Sequence, residues 1–419
     1  MERHGRSLDG GSQEGDDLPR GVSSGVNIMM PFDFYRCPRV VFGAGRITEV
    51  GKIASRYGSK ALVVTGSSSL DRSGNWDKIA RSLADSSIIF ERFTVKGEPS
   101  PDIVDGAVRE FQKRTPDMVV AVGGGSVIDC GKAIAALLPL RGPVTPYLEG
   151  VGDRNHPGTT LPLIAAPTTA GTGSEATKNA VLSRVGIDGF KKSLRHDNFT
   201  PTCALLDPAL SVSCPPLVTA SCGMDAFTQL LESYVSPKGS PLTDALALSG
   251  IEHLSPSLLP ASTDQGDDIH CRSSLMYAAF LSGVTLANAG LGIVHGLAAP
   301  VGARIPMPHG MVCATLVWEA CRMNVRRIRE QRGKKDALLA KYAHVGCILA
   351  AAPQADLIQG CELLLEKLGE WTERLQIPRL GDYGMEEYDL DALVAQAGQK
   401  TNPVQLDDRD VKAILKARL

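Results

Sequence analysis

Three consecutive glycines, Gly123–Gly125, directly follow the apolar run Met118–Val122 and lead through Ser126 into an apolar, helix-forming segment that starts at Val127. The order strand, glycine turn, helix is typical of a loop that binds phosphate. Glycine lets the backbone approach a pyrophosphate closely, and the start of the helix offers N–H groups and the positive end of the helix dipole. The alternative is a tight strand-to-helix turn whose glycines are needed for positive φ.

The spacing around this loop excludes a P-loop. The interval from Gly125 to Gly131 is one residue too long, and Ala133 follows Lys132 where a P-loop has the Ser or Thr that binds magnesium. The loop is therefore interpreted as a site for a dinucleotide or another phosphate.

Short apolar runs alternate with amphipathic segments in the first half of the chain. The runs Val40–Phe42, Ala61–Val64 and Met118–Val122 are continuously hydrophobic, which is typical of strands covered on both faces in a parallel sheet. This pattern predicts an α/β dinucleotide-binding domain over residues 31–207.

The character of the chain changes after Asp207, where helix-period segments dominate and strand-like runs are few. The predicted helical segments are 217–235, 241–260, 271–290 and 334–351. We therefore predict an all-α domain over residues 208–419, and we place one boundary close to residue 207.

Charge and cysteine usage favour a cytoplasmic enzyme with a small partner. The 44 basic and 46 acidic residues leave a formal charge of -2, so no footprint for nucleic acid or an anionic membrane is expected. Ten cysteines between Cys37 and Cys361 include no C-x-x-C pair, which favours reduced thiols. No apolar run of about 18 residues or signal peptide occurs. Residues 1–30, rich in glycine, serine and acidic residues, are predicted to be a mobile tail.

A second polar segment, Ala165–Glu175, combines three threonines and a serine with glycines. Several hydroxyl groups at low steric cost suit a ribose, a phosphate or the nicotinamide carboxamide. The alternative is that this segment only connects two elements.

One carboxylate and two imidazoles have the residue types of a metal site. Asp225 and Gln229 stand four residues apart on one face of a predicted helix, and His295 and His309 follow later in the chain. Such a set, with an amide oxygen beside the carboxylate, can hold a divalent transition metal and leave a position open for substrate. Taken singly, each histidine is better explained as a hydrogen-bonded core or loop residue.

From about residue 32 to its C-terminus the chain resembles the iron-containing alcohol dehydrogenases. The matching motifs are Gly123–Ser126 with Asp129 and Lys132, Pro167–Glu175, Gly223–Ala226 and Pro308–Gly310. The resemblance implies an N-terminal α/β domain, a C-terminal helical domain and an active site in the cleft between them. It also implies hydride transfer between a small alcohol or aldehyde and NAD or NADP, assisted by Fe²⁺ or by Zn²⁺, Mn²⁺ or Ni²⁺, in a homodimer or a larger homo-oligomer.

The resemblance also assigns site residues. The cofactor-binding positions that it implies are Gly66, Ser67, Ser100, Gly123, Gly124, Gly125, Ser126, Asp129, Thr168, Thr169, Thr172, Lys191 and Leu210. The metal ligands that it implies are Asp225, Gln229, His295 and His309. Lys192 adjoins Lys191, so the register of that lysine is open.

Several of these positions depart from the family pattern. Ser100 replaces an asparagine on the cofactor side, Gln229 replaces a histidine ligand, and Ala299 replaces a histidine linked to proton relay. Gly66 stands where NAD-selective members have an aspartate that holds the ribose 2′-hydroxyl, and the serines that follow it suit a 2′-phosphate, so NADP(H) is expected to be accepted. The alternative is that these serines cap the next helix.

Two other functions share this architecture. A lyase of the dehydroquinate-synthase type would need a dense set of cations around the metal, and residues 291–310 supply only Arg304. A nucleotide-binding homologue that has lost its metal and its activity is favoured by Gln229 and Ala299.

Overall fold

The computed structural model describes residues 31–184, 190–333, 335–399 and 401–419. The tail predicted for residues 1–30 lies outside the described residues, as does residue 334 at the start of the last predicted helical segment. The described chain from Asp33 onward belongs to one compact unit.

Six parallel strands form the central sheet. In chain order the strands of the structure are β1 (Arg39–Phe42), β2 (Lys60–Gly66), β3 (Ile89–Val95), β4 (Met118–Gly123), β5 (Leu163–Pro167), β6 (Asn179–Arg184), β7 (Phe190–Arg195) and β8 (Cys203–Leu206). The order across the sheet is β1-β8-β5-β4-β2-β3, and β6 pairs with β7 in a separate antiparallel ribbon. All six residues of β4 are buried, because the strand is central and covered on both faces. The predicted α/β class is confirmed.

Five helices accompany the sheet and ten follow it in the described residues. The first group is α1 (Val50–Ala54), α2 (Ser69–Arg72), α3 (Asn75–Asp85), α4 (Pro101–Phe111) and α5 (Gly125–Leu137). The second group is α6 (Pro216–Tyr234), α7 (Pro241–Leu254), α8 (Leu258–Ser262), α9 (Ile269–Ala289), α10 (Ile293–Arg304), α11 (His309–Arg332), α12 (Ala337–Leu349), α13 (Leu357–Arg374), α14 (Leu390–Gln396) and α15 (Asp408–Ala417).

The predicted helical segments correspond to helices of the second group, with one difference. The segment 241–260 is divided between α7 and α8, because Pro256 lacks an N–H group and its ring cannot continue the helix beyond Leu254. Strands give way to helices after Leu206, at the predicted boundary. The division into separate domains at residue 207 stays a prediction.

Helices α9 and α10 are consecutive helices rich in apolar residues. Within the described ranges, no single helix has both the length and the apolar character needed to cross a membrane. Only α9 and α10 taken together meet that requirement, and the chain bends by 102° between them.

Candidate active site

The glycine loop joins β4 to α5 at the C-terminal edge of the sheet. Gly124 precedes the helix in an extended conformation, with φ of -71°, and none of the three glycines has a positive φ. The alternative of a turn that needs positive φ is therefore wrong. A Cβ atom on Gly123 would lie 2.6 Å from Val127, and one on Gly125 would lie 2.6 Å from the Thr172 hydroxyl. These two glycines allow close packing, whereas a Cβ on Gly124 would stay 3.4 Å from the nearest atom.

A cleft of 400 Å³ runs from this loop to the helical part of the molecule. The predicted site residues that line it are Gly125, Ser126, Asp129, Thr172, Lys191, Gln229, His295 and His309. Ala299 also lines it, so the position of the missing histidine does face the cleft. A second cavity, of 540 Å³, contains none of the predicted site residues.

The remaining predicted cofactor positions lie around the loop or away from the cleft. The Thr168 N–H donates to the Gly123 carbonyl at 3.0 Å, and the Thr169 side chain is the nearest neighbour of Gly124. Ser100 caps α4 by accepting from the Ile103 N–H at 3.3 Å. Leu210 is 3% exposed and packs in the core beside the sheet.

Gly66 and Ser67 lie at the C-terminal end of β2, immediately before α2. Ser68 stands at the N-cap of α2, and its side chain makes no capping hydrogen bond. The hydroxyl at the capping position is thus not used by the helix, which weakens the capping alternative for these serines.

The register of the cleft lysine follows from the structure. The Lys191 ammonium donates to Glu98 at 2.6 Å, and both residues line the cleft. Lys192 is exposed, because neighbouring residues of a strand point to opposite faces. Of the two lysines, Lys191 is the one that faces the predicted cofactor.

Lys132 ties α5 to the segment that follows β5. Its ammonium lies 2.7–3.2 Å from five oxygens, which belong to Ser174, Thr177 and Asn179. Burial lowers the pKa of Lys132 to about 8, while the charge of Asp129 opposes that shift. Asp129 in turn accepts hydrogen bonds from the Ser174 hydroxyl and from the Val181 N–H, the latter at 3.1 Å. This lysine therefore holds the wall of the cleft in place.

Three helices bring the predicted metal ligands together. Asp225 lies on α6, His295 near the start of α10 and His309 at the start of α11. The distance from Asp225 Oδ1 is 3.3 Å to His295 Nε2 and 3.9 Å to His309 Nε2. Donor atoms of these residues and of Cys313 all lie within 4.8 Å of one another. A carboxylate and two imidazoles at these separations fit a divalent transition metal.

Gln229 borders this cluster, but its amide is engaged elsewhere. Its Oε1 accepts a hydrogen bond of 2.7 Å from the Ser282 hydroxyl, and Ser282 lies on α9. Gln229 is 3% exposed and still lines the cleft.

Two residues of the cluster were missed by the sequence reasoning. Glu232 accepts from His295 Nδ1 at 2.7 Å and from the Val294 N–H at 2.7 Å, so it fixes the ring with Nε2 turned to Asp225. A carboxylate behind a ligating histidine is a common supporting contact in metal sites. Cys313 stands one helical turn after His309, a spacing that the sequence does display.

Burial and neighbouring groups act on the two histidines in opposite directions. Burial disfavours the charged form of His295, but its contacts with Cys313, Asp225 and Glu232 raise the pKa of that ring well above its usual value. Burial lowers the pKa of His309 to about 4, although Asp225 acts in the opposite direction, so this ring is neutral at pH 7. A neutral imidazole is the form that binds a metal. Burial likewise raises the pKa of the Cys313 thiol to about 12.

Comparisons with known proteins agree with this architecture. Residues 37–208 match the family described as iron-containing alcohol dehydrogenase, and residues 219–419 match its C-terminal family. Alcohol dehydrogenase 4 of Schizosaccharomyces pombe is 33% identical over 398 residues, which cover 93% of this chain and 90% of the relative.

Two solved structures have the same fold. A 1,3-propanediol oxidoreductase superposes with a TM-score of 0.83 at 28% identity, covering 93% of this chain and 100% of the other. The sulfoacetaldehyde reductase of Bifidobacterium kashiwanohense, solved in complex with NAD⁺, gives a TM-score of 0.80 at 26% identity, with coverages of 93% and 99%.

The sheet, the glycine loop and the clustered metal-ligand types define the class of protein as an oxidoreductase that interconverts alcohols and aldehydes. More narrowly, the chain belongs to the iron-containing alcohol dehydrogenase family, whose two parts it matches almost from end to end.

Proposed function

We propose that this enzyme transfers a hydride between a small alcohol or aldehyde and NAD or NADP in the cleft described above, with one divalent metal beside the substrate. The observation that carries the proposal is the meeting of two features in one cleft. The glycine loop and Thr172 form one wall, and His295 and His309 line the other, with the buried Asp225 beside them.

The residues of the cleft have separable roles. The N–H groups at the start of α5, from Gly125 and Ser126, would hold the cofactor pyrophosphate. Asp225, His295 and His309 would hold the metal, and Glu232 keeps the His295 ring oriented. A bound metal supplies Lewis-acid polarisation of the substrate oxygen, and the nicotinamide supplies the hydride acceptor.

The proton released on alcohol oxidation is expected to follow another route than in relatives that have a histidine at the position of Ala299. Ala299 has no group that can carry a proton, although it lines the cleft. Release through water, a ribose hydroxyl or another side chain is expected to reduce turnover modestly without abolishing it.

Cofactor choice is expected to include NADP(H). No carboxylate is present between Val63 and Ser69, so nothing in that stretch repels a 2′-phosphate. A Cβ on Gly66 would meet its nearest neighbour at 3.8 Å, so the missing aspartate is not excluded by packing. The hydroxyls of Ser67 and Ser68 are suited to donate to the phosphate.

The lyase alternative finds little support in the cleft. Its lining cations, Lys191 and Arg195, are paired with Glu98 and Glu149 at 2.6 and 2.7 Å. Arg304 is paired with Asp389. A triply charged cyclisation substrate would need cations that are not already neutralised.

The cysteines and the edge strand β1 bear on the location and the assembly of the protein. All ten cysteines are free thiols, which supports a reducing compartment and hence the cytoplasm. The edge strand β1 exposes Val40 and Phe42, which supports a homodimer formed at this edge. Light scattering of the purified protein would test the assembly.

The experiment that tests the function is a turnover assay of the purified protein with a panel of alcohols and aldehydes and with both cofactors. We expect activity that is lost on chelation and restored by Fe²⁺, Zn²⁺, Mn²⁺ or Ni²⁺. Full activity in metal-free protein, unchanged by His309→Ala, would contradict the metal-assisted mechanism. Absence of turnover with retained nucleotide binding would favour the non-catalytic homologue.

A further inference from the structure

Cys313 occupies a place that the family pattern does not assign to a ligand. It lies on α11 one turn beyond His309, and it is fully buried, with 0% exposure. Residues four apart on a helix share a face, so both side chains point toward α6 and α10. Cys313 Sγ is 3.6 Å from His295 Nε2 and 3.9 Å from His309 Nε2.

The separations match the edges of one coordination polyhedron. Metal bonds of about 2.0–2.2 Å to nitrogen and oxygen and about 2.3 Å to sulfur give tetrahedral edges of about 3.3–3.6 Å. Four of the six edges that link Asp225, His295, His309 and Cys313 are 3.3, 3.6, 3.9 and 3.9 Å, and the other two are no longer than 4.8 Å. Shortening the longer edges would bring all four donors to one ion.

The other candidate for the fourth position is less suited. The Gln229 oxygen already accepts the 2.7 Å hydrogen bond from Ser282 and is a neutral donor. A thiolate is charged and soft, and it binds Zn²⁺ more strongly than an amide oxygen does.

We propose that the Cys313 thiolate, and not the Gln229 amide, is the fourth protein ligand of the metal, and that this donor set favours Zn²⁺ over Fe²⁺. The inference deepens the proposed function, on whose metal site it rests. When Zn²⁺ binds, the Zn–S bond forms and the S–H proton passes to solvent, with no change of oxidation state. The substrate oxygen would then enter as a fifth ligand.

Cobalt substitution tests the proposal without reference to activity. The full-length protein is stripped of metal, loaded with Co²⁺ and examined by absorption spectroscopy. We expect a thiolate-to-cobalt charge-transfer band in the near ultraviolet. The band should be absent in Cys313→Ser and present in Gln229→Ala and in Cys361→Ser, a buried cysteine on α13 that serves as the matched control.

Affinity and X-ray absorption give two further measurements. Zinc should bind Cys313→Ser more than about tenfold more weakly, since a direct ligand matters at least as much as a supporting contact. Gln229→Ala should change the affinity little. Because Cys313→Ser changes a fully buried residue, the zinc-loaded wild-type protein is also measured, and one sulfur at about 2.3 Å is expected.

The outcomes separate this inference from the proposed function. Cobalt binding without a thiolate band, or a zinc shell of nitrogen and oxygen only, would overturn the role of Cys313 while leaving the metal site intact. Binding of Fe²⁺ without binding of Co²⁺ or Zn²⁺ would overturn only the role of Cys313, and absence of binding of Co²⁺, Zn²⁺, Fe²⁺, Mn²⁺ and Ni²⁺ by the wild-type protein would overturn both.

Discussion

At the scale of single residues, Glu232 shows how a side chain outside the ligand set can control it. The pair between Glu232 and His295 is 2.7 Å long, and both side chains are at most 10% exposed. We expect Glu232→Gln to weaken Zn²⁺ binding about 10- to 100-fold, because the ring loses its charged partner. Calorimetry would measure the Zn²⁺ affinity of the wild type, of this variant and of Glu319→Gln. Glu319 is a buried carboxylate on α11 and serves as the control. Equal affinities in all three proteins would show that Glu232 has no part in orienting the ligand.

Gly66 is the residue on which cofactor choice depends in our proposal. Gly66→Asp should introduce a hydrogen bond to the ribose 2′-hydroxyl and repulsion of a 2′-phosphate, and the 3.8 Å clearance leaves room for it. We expect the ratio of kcat/KM for NADH over NADPH to rise at least about tenfold, which corresponds to about 1.4 kcal/mol. Gly106→Asp on α4, where a Cβ would meet its nearest neighbour at 4.0 Å, serves as the control. A wild-type preference for NADH by about two orders of magnitude would refute the expected acceptance of NADP(H).

At the scale of elements, the glycines at the junction of β4 and α5 have different roles. Gly123 allows close packing against Val127, whereas Gly124 is proposed to face the cofactor. The Cβ of Gly124→Val would stand in ordinary contact with the Thr169 side chain, at 3.4 Å, so the fold should persist while nucleotide affinity is lost. Gly123→Val puts its Cβ 2.6 Å from Val127 and should lower the melting temperature instead. Fluorescence titration with NADPH and thermal denaturation of both variants distinguish the two effects. Unchanged cofactor binding in Gly124→Val would remove the loop from the cofactor site.

The contact between α5 and the segment after β5 depends on Lys132. Lys132→Met removes the ammonium that five oxygens surround and leaves Asp129 without its cation. We expect the free energy of unfolding to fall by about 3–5 kcal/mol. Chemical denaturation would measure it beside Lys192→Met, where the exposed lysine should contribute less than about 0.5 kcal/mol. A loss no larger than that of the control would mean that the oxygens are satisfied in another way.

At the scale of the whole molecule, the metal site joins α6 to the consecutive helices α10 and α11, and Asp225 and His295 are 70 residues apart in the chain. A metal present at about 100 times its Kd stabilises the folded state by about 2.7 kcal/mol. Chelation should therefore lower the melting temperature of the wild-type protein, and zinc should restore it. The double variant His295→Ala, His309→Ala should melt at one temperature with or without chelator. A chelator effect of the same size in that variant would point to a metal bound elsewhere.

The sheet and the helices were largely predictable from the sequence because their signals are local. Continuous apolar runs such as Met118–Val122 reflect burial on both faces, and helix-period segments reflect burial on one stripe. Where prediction differed, as at Pro256, the cause was also local, since one missing N–H ended a helix earlier than the apolar pattern suggested.

The contacts of the active site depend instead on how distant segments pack. The sequence contained the residues of the glycine loop and of the metal cluster, and the family resemblance linked them. The sequence and the family resemblance did not show the hydrogen bond from Ser282 to Gln229 or the contact of Glu232 with His295. They also did not show that Cys313 lies beside the metal ligands. The contacts of Gln229 and Glu232 join residues 53 and 63 positions apart in the chain, and the contact of Cys313 with His295 spans 18 positions. Their distances follow from side-chain packing in three dimensions, which a linear pattern does not record.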